Sequence, residues 1–268
     1  MSRARTSSQL ANRSSDRFAI IAFLYREEQR FGDAERLNDR VIALDSNDPG
    51  PYVRKALDYL RRDGDTAGAR AIVRSAAQHI DSMALITAAV TNYDLATWDA
   101  LGMLDEPYQR ALLTLRPEAF GGDTAWFGLA IGYTYRARGD SIRFHAYYDT
   151  AFATASAKVQ ERPNDYRSLG VTSWVLAGRG QRSQAYAAMD RARASRGVQS
   201  PRWGEIQARL SVFAGDYDRA LGALEQRHWG PGLTIPWLCA DPFWDPLRSD
   251  PRFQRLVQDK CRSSSRPR

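Results

Sequence analysis

The sequence predicts an all-α protein, a stack of about six helix-turn-helix units finished by a C-terminal capping helix. Three observations carry this. Apolar and aromatic residues recur at helical spacing along most of the chain. Glycines interrupt that pattern at Gly32, Gly64, Gly102, Gly139, Gly180 and Gly215, at intervals of 32 to 41 residues. The clearest unit, Asp123 to Ala151, has an apolar face on each of two short helices and cannot bury both alone.

Taken in order, residues 1 to 17 read as a disordered basic tail, because they are polar, rich in serine and arginine, and carry no apolar run. From Phe18 a first helix runs to Gly32-Asp33, and a second, with Leu37, Val41, Ile42 and Leu44 apolar, ends at Asp45 to Pro51. The next unit pairs Tyr52 to Arg62 with Ala67 to Ile80 around Gly64-Asp65. A degenerate third unit, Ser82 to Leu115, is expected as helices near Met83 to Tyr93 and Pro107 to Leu115, with its turn at Leu101 to Asp105. In the fourth, Trp126, Leu129, Ile131, Tyr133 and Tyr135 precede the turn Arg138-Gly139-Asp140, and Phe144, Tyr147, Tyr148 and Ala151 follow it. The fifth turns at Gly178 to Gly180 and the sixth at Gly215-Asp216-Tyr217. Glycine suits a helix end because the left-handed conformation there costs it least, and an aspartate just beyond can cap the following helix. Ala69, Ala76, Ala151, Ala185, Ala192 and Ala220 are small enough for close helix approach, while Val73, Tyr148 and Met189 fill the spaces between.

These residues carry a resemblance. The run GDYDRALGALEQ, with Gly215, Asp216, Tyr217, Ala220 and Leu224, is similar to the turn and second helix of a tetratricopeptide repeat, and IGYTYRARGD supplies the small Gly132 and aromatic Tyr135 of its first helix. The resemblance spans roughly residues 18 to 228 and implies a right-handed α-solenoid with a concave groove that binds proteins. Residues 229 to 258 then form the cap, with Trp229, Trp237, Phe243, Trp244, Leu247, Phe253 and Leu256 as apolar mass and a short helix from Pro251. Its pattern DPFWDPLRSDPRFQRL also resembles the closing segment of tetratricopeptide regions in bacterial serine/threonine kinases, cyclases and winged-helix regulators. Residues 259 to 268 form a second basic, disordered tail.

Composition narrows the classes. No stretch approaches the roughly 18 apolar residues of a membrane helix, and no apolar segment follows the basic start as in a secretory signal, so a cytoplasmic protein without membrane association is expected. The net charge of +7 resides mostly in the two tails, which contribute three charges each, and this weighs against a nucleic-acid surface on the body. Cys239 and Cys261, the two cysteines, are expected as unpaired thiols.

Catalytic signatures are absent from the sequence, with no phosphate-binding loop, dinucleotide fingerprint, paired-histidine zinc motif or nucleophile elbow, so neither catalysis nor a cofactor or metal is expected. His79, His145 and His228 read as packing or surface residues, Asp241, Asp245 and Asp250 as turn caps before prolines, and Gly121-Gly122 as a hinge. The resemblance places Arg26, Arg30, Arg54, Arg61, Arg62, Trp126, Tyr133, Arg136, Arg167, Trp174, Arg202 and Arg209 along the groove. Guanidinium forks beside aromatic faces suit a protein segment or peptide, in particular an acidic or C-terminal one. The same arginines also fit solvated helix faces paired with carboxylates such as Asp58 and Glu205. The function expected is therefore a non-catalytic protein-interaction scaffold. The alternatives are a regulatory module of a bacterial kinase or transcription regulator and, behind it, a small-ligand receptor.

Overall fold

Helix boundaries follow the capping chemistry closely. The computed structural model describes residues 17–91, 97–196, 202–227, 229–230 and 232–257, and among these the chain is all-helical. Asp65, Asp123, Asp140, Asp165 and Asp216 each accept a backbone N–H of the helix they precede. Gly64, Gly139, Gly180 and Gly215 take the left-handed conformation at the ends of first helices, with φ of 67°, 79°, 74° and 70°.

The helices are α1 (residues 17–27), α2 (Phe31–Leu44), α3 (Pro49–Asp63), α4 (Thr66–Ala76), α5 (Ser82–Thr91), α6 (Thr97–Met103), α7 (Glu106–Leu112) and the 3-10 turn η1 (Pro117–Phe120). Then come α8 (Thr124–Ala137), α9 (Ser141–Glu161), α10 (Tyr166–Gly178), α11 (Arg182–Arg196), α12 (Trp203–Phe213) and α13 (Tyr217–Glu225). The C-terminal segment holds α14 (Ile235–Ala240), the 3-10 helix η2 (Pro242–Leu247) and α15 (Pro251–Val257). Successive helices pack as adjacent pairs: α3 on α4, α8 on α9, α10 on α11 and α12 on α13. The six small residues expected at close helix approaches are all buried, as are Val73, Tyr148 and Met189.

Many side-chain ties between neighbouring segments recur close to one register. Arg26 binds Asp58, Arg138 binds Glu106, Arg182 donates to the Ala214 carbonyl and Arg209 binds Asp241, each across 32 residues. Arg74 and Asp105 do the same across 31. The stitching continues past α13, since Arg252 reaches back 34 residues to Asp218 and α15 packs on α13. The C-terminal segment therefore covers the last pair with its short helix.

The structure departs from the sequence reading at four places. Gly32-Asp33 does not form the first turn: α2 already starts at Phe31, and Gln29, at φ 57°, takes the left-handed position instead. In the third unit the expected turn around Gly102 is helical, because α6 inserts between α5 and α7 and lays Gly102 against the Trp237 indole; Tyr93 lies outside the described residues. Cys239 is disulfide-bonded rather than a lone thiol, and the other cysteine, Cys261, lies outside the described residues. Linear spacing of two cysteines carries no information about how near the fold brings them.

The fourth departure is the largest. Besides capping α13, the C-terminal segment crosses to the second pair, where α14 packs on α3. Thr234 donates its hydroxyl to the Arg61 carbonyl, across 173 residues. Trp237, fully buried, reaches Asp99 on α6. One apolar core consequently runs from Val53 and Leu57 through Ile131 and Val212 to Leu224, Trp237 and Phe253. Residues 1–16 and 258–268, which hold both expected tails except residue 17, lie outside the described residues, while residue 17 is already helical.

Candidate functional site

The twelve residues placed along the groove by sequence fall into three groups. Arg26, Arg61 and Arg209 are at most 2% exposed and hold the chain's own carboxylates. Arg26 Nε donates to Asp58 at 2.6 Å, and Asn38 adds a second donor to the same carboxylate. Arg209 lies between Glu205 at 3.0 Å and Asp241 at 2.8 Å, and Arg61 stands 3.8 Å from Asp99. Arg202 also faces Glu205, at 3.4 Å. The pairing with Asp58 and Glu205 is thus realised in the interior rather than on solvated faces.

Electrostatics in this interior follow from burial and neighbours. Burial, aided by Arg202, brings the Arg61 guanidinium down to about 10. Burial also raises the Asp58 and Asp241 carboxyls, against the pull of Arg26 and Arg209. Glu205 goes the other way: burial works to raise it, but Arg202, Arg209 and Arg61 together outweigh that and hold it below its ordinary value. This cluster joins α1, α3, α6, α12 and the C-terminal segment, and it ties the fold together from inside.

A second group is half-buried or exposed and engaged by neighbouring side chains. Arg30 pairs with Glu28 and Asp33, Arg54 donates to Asn38, and Arg62 pairs with Glu35 and Asp63. Arg167 donates to the Tyr166 hydroxyl, and Trp126 meets Phe120 edge to face.

The third group converges on one ring that sequence reasoning passed over. Phe213, 5% exposed at the end of α12, is met by Tyr133, Trp174 and Arg136, whose guanidinium carbon lies 3.8 Å from the ring centroid. Phe144 and Tyr148 from α9 complete the surround. The turns after α8, α10 and α12 meet here, and they leave a cavity of about 450 Å³ bordered by Arg136, Ser141, Phe144, His145 and Phe213. The signal that could have found it is the recurrence of turn glycines on one edge, at 139, 180 and 215.

Of the histidines, His79 lies within hydrogen-bonding distance of the Tyr52 hydroxyl and the Ser46 carbonyl, at 3.1 Å each, His145 borders the cavity, and His228 lies outside the described residues. Asp241 and Asp250 cap N–H groups of Phe243 and Arg252, whereas Asp245 sits inside η2 and pairs with Arg248. Among the described residues no group of three or more His, Cys, Asp or Glu is placed to hold a metal ion, and no helix is long and apolar enough to cross a membrane. No family model, curated protein or solved structure matches this chain.

Proposed function

We propose that this protein is a non-catalytic interaction scaffold of the tetratricopeptide type, which binds a protein segment on the surface its stacked hairpins share. The observation that carries this reading is that many of the side-chain ties between neighbouring helix pairs recur at a register of 30 to 34 residues. Such a register sets equivalent helices side by side, and stacked repeats of this kind generate extended binding surfaces. On the second pair, α14 lies over α3 and draws Arg61 inside, so the segment is received instead around Arg136 and Arg167, which remain exposed on α8 and α10.

Crosslinking capture from the source cell, with the wild type beside an Arg136→Glu/Arg167→Glu variant, tests this. Loss of specific crosslinked partners in the variant, with its helicity retained, is the expected outcome. Identical partner sets from the two proteins would remove the reading.

A further inference from the structure

We propose that the cavity at the meeting of the three turns binds a carboxylate attached to an apolar or aromatic body, with the carboxylate on Arg136. This stands on the cavity's own geometry and charge, independently of the scaffold reading.

Arg136 differs from the other arginines of this edge. Arg138 is held by Glu106, Arg143 by Asp140 and Arg179 by Asp149, and Arg182 is spent on the carbonyls of Ala214 and Gly215. Arg136 has no carboxylate partner among the described residues; its contacts are the faces of Phe213 and Phe144, at 3.8 and 5.6 Å. Lying against a buried ring fixes the guanidinium without consuming its N–H edge, which remains available for a bidentate acceptor. No acidic residue borders the cavity, while His145 and the Ser141 hydroxyl add two more polar groups.

The remaining wall is apolar or bare. Phe144 and Phe213 form the floor, and Gly178 lies so close that a Cβ there would stand 3.1 Å from both rings. At Gly139 and Gly180 a Cβ would meet nothing within 4 Å, so those turns leave the mouth open. A volume of about 450 Å³ lies within the roughly 300 to 1,000 Å³ typical of small-ligand sites. A cation at the rim over an aromatic floor matches a ligand with a carboxylate at one end and a hydrophobic group at the other. Inorganic phosphate satisfies the first requirement and not the second.

Isothermal titration of the full chain with N-acetylphenylalanine, its amide, inorganic phosphate, and a hexapeptide ending in phenylalanine as free acid or amide reads this directly. The free acid is expected to bind at least about tenfold more tightly than its amide, because a hydrogen bond to a charged group is worth about 1.5 to 3 kcal/mol. Arg136→Gln is expected to erase that preference and His145→Gln to weaken binding without erasing it, both with unchanged melting temperatures. Tighter binding of the peptide acid than of N-acetylphenylalanine marks a peptide terminus as the source, and binding of the small acid alone marks a metabolite; either supports the site. No binding by either acid, equal affinity for acid and amide, phosphate binding as tight as the acid, or an Arg136→Gln protein that binds like wild type overturns it.

Discussion

Trp237 donates its indole N–H to Asp99 at 3.0 Å across 138 residues, and both side chains are fully buried. This bond fixes α14 against α6 at the point where the C-terminal segment returns to the front of the molecule. A buried indole usually finds a partner for its N–H, and here the partner is also 3.8 Å from Arg61, so the contact joins the hydrophobic core to the interior charge cluster.

Replacing Trp237 separates those two roles. Trp237→Ala is expected to cost about 3 to 5 kcal/mol through lost burial. Trp237→Phe retains most of the ring but takes a donor from a buried carboxylate, for about 1 to 3 kcal/mol. Urea denaturation of both variants checks the order; a Trp237→Phe protein as stable as wild type would mean that the hydrogen bond contributes nothing, and equal losses would mean that the ring's burial adds nothing beyond it.

Glycines at matching turns should differ in sensitivity according to what lies over them. Gly64 and Gly139 both have left-handed φ, so alanine costs roughly 1 to 2 kcal/mol at either from backbone strain. At Gly64 a Cβ would also stand 2.6 Å from the Pro236 carbonyl oxygen, whereas at Gly139 it meets open space. Thermal melts are expected to place Gly64→Ala well below Gly139→Ala, and coincident melts would show that α14 does not rest on α3 in solution.

The Arg26–Asp58 pair predicts a non-additive response. Asp58→Ala leaves Arg26 buried without its carboxylate and is expected to cost about 3 to 5 kcal/mol. Arg26→Met with Asp58→Leu removes both charges and is expected to cost far less than the sum of the two single variants. A double-mutant cycle with no coupling would contradict the buried geometry.

Asp123 supplies a pH dependence of known sign. Burial acts to raise its pKa, but the N–H groups of Trp126 and Ala125 together with Lys158 outweigh it and hold the folded value below 3.8. A lowered carboxylate contributes stability above its unfolded value and loses it as pH falls through the folded one. Asp123→Asn retains the helix cap and loses the charge, so at pH 7 it is expected to be less stable by about 1 kcal/mol or less, since Asp123 and Lys158 are 30% and 35% exposed and their attraction is screened by solvent. That gap should narrow below pH 3.8 and close once the pH has fallen through the lower folded value in urea titrations; a gap that does not narrow with falling pH would assign the effect to the cap instead.

Much of the hairpin pattern was legible because its causes are local. Asp140 caps α9 three residues ahead, Gly215 ends its helix on its own torsion, and Ala151 or Ala185 declares a close approach by size alone. Arg136 was visible as a candidate, but its seat on Phe213 was not, since Phe213 lies 77 residues away and belongs to another helix pair. His145 reads from the sequence as a packing or surface residue, and it gains its place at the cavity from Phe144 and the turns around it.

By itself the sequence determined helical class, the approximate period and most turn positions, because a glycine torsion, an aspartate cap and an apolar stripe each act within a single hairpin. Tertiary structure decided which arginines face solvent and which are held inside. Arg61 and Arg209 have the same helical setting and chemistry as Arg136, yet the return of α14 and Asp241 buries the first two and leaves the third exposed. That return joins residues as far apart as Arg61 and Thr234, where the gain comes from packing and hydrogen bonds between distant segments that no local pattern encodes.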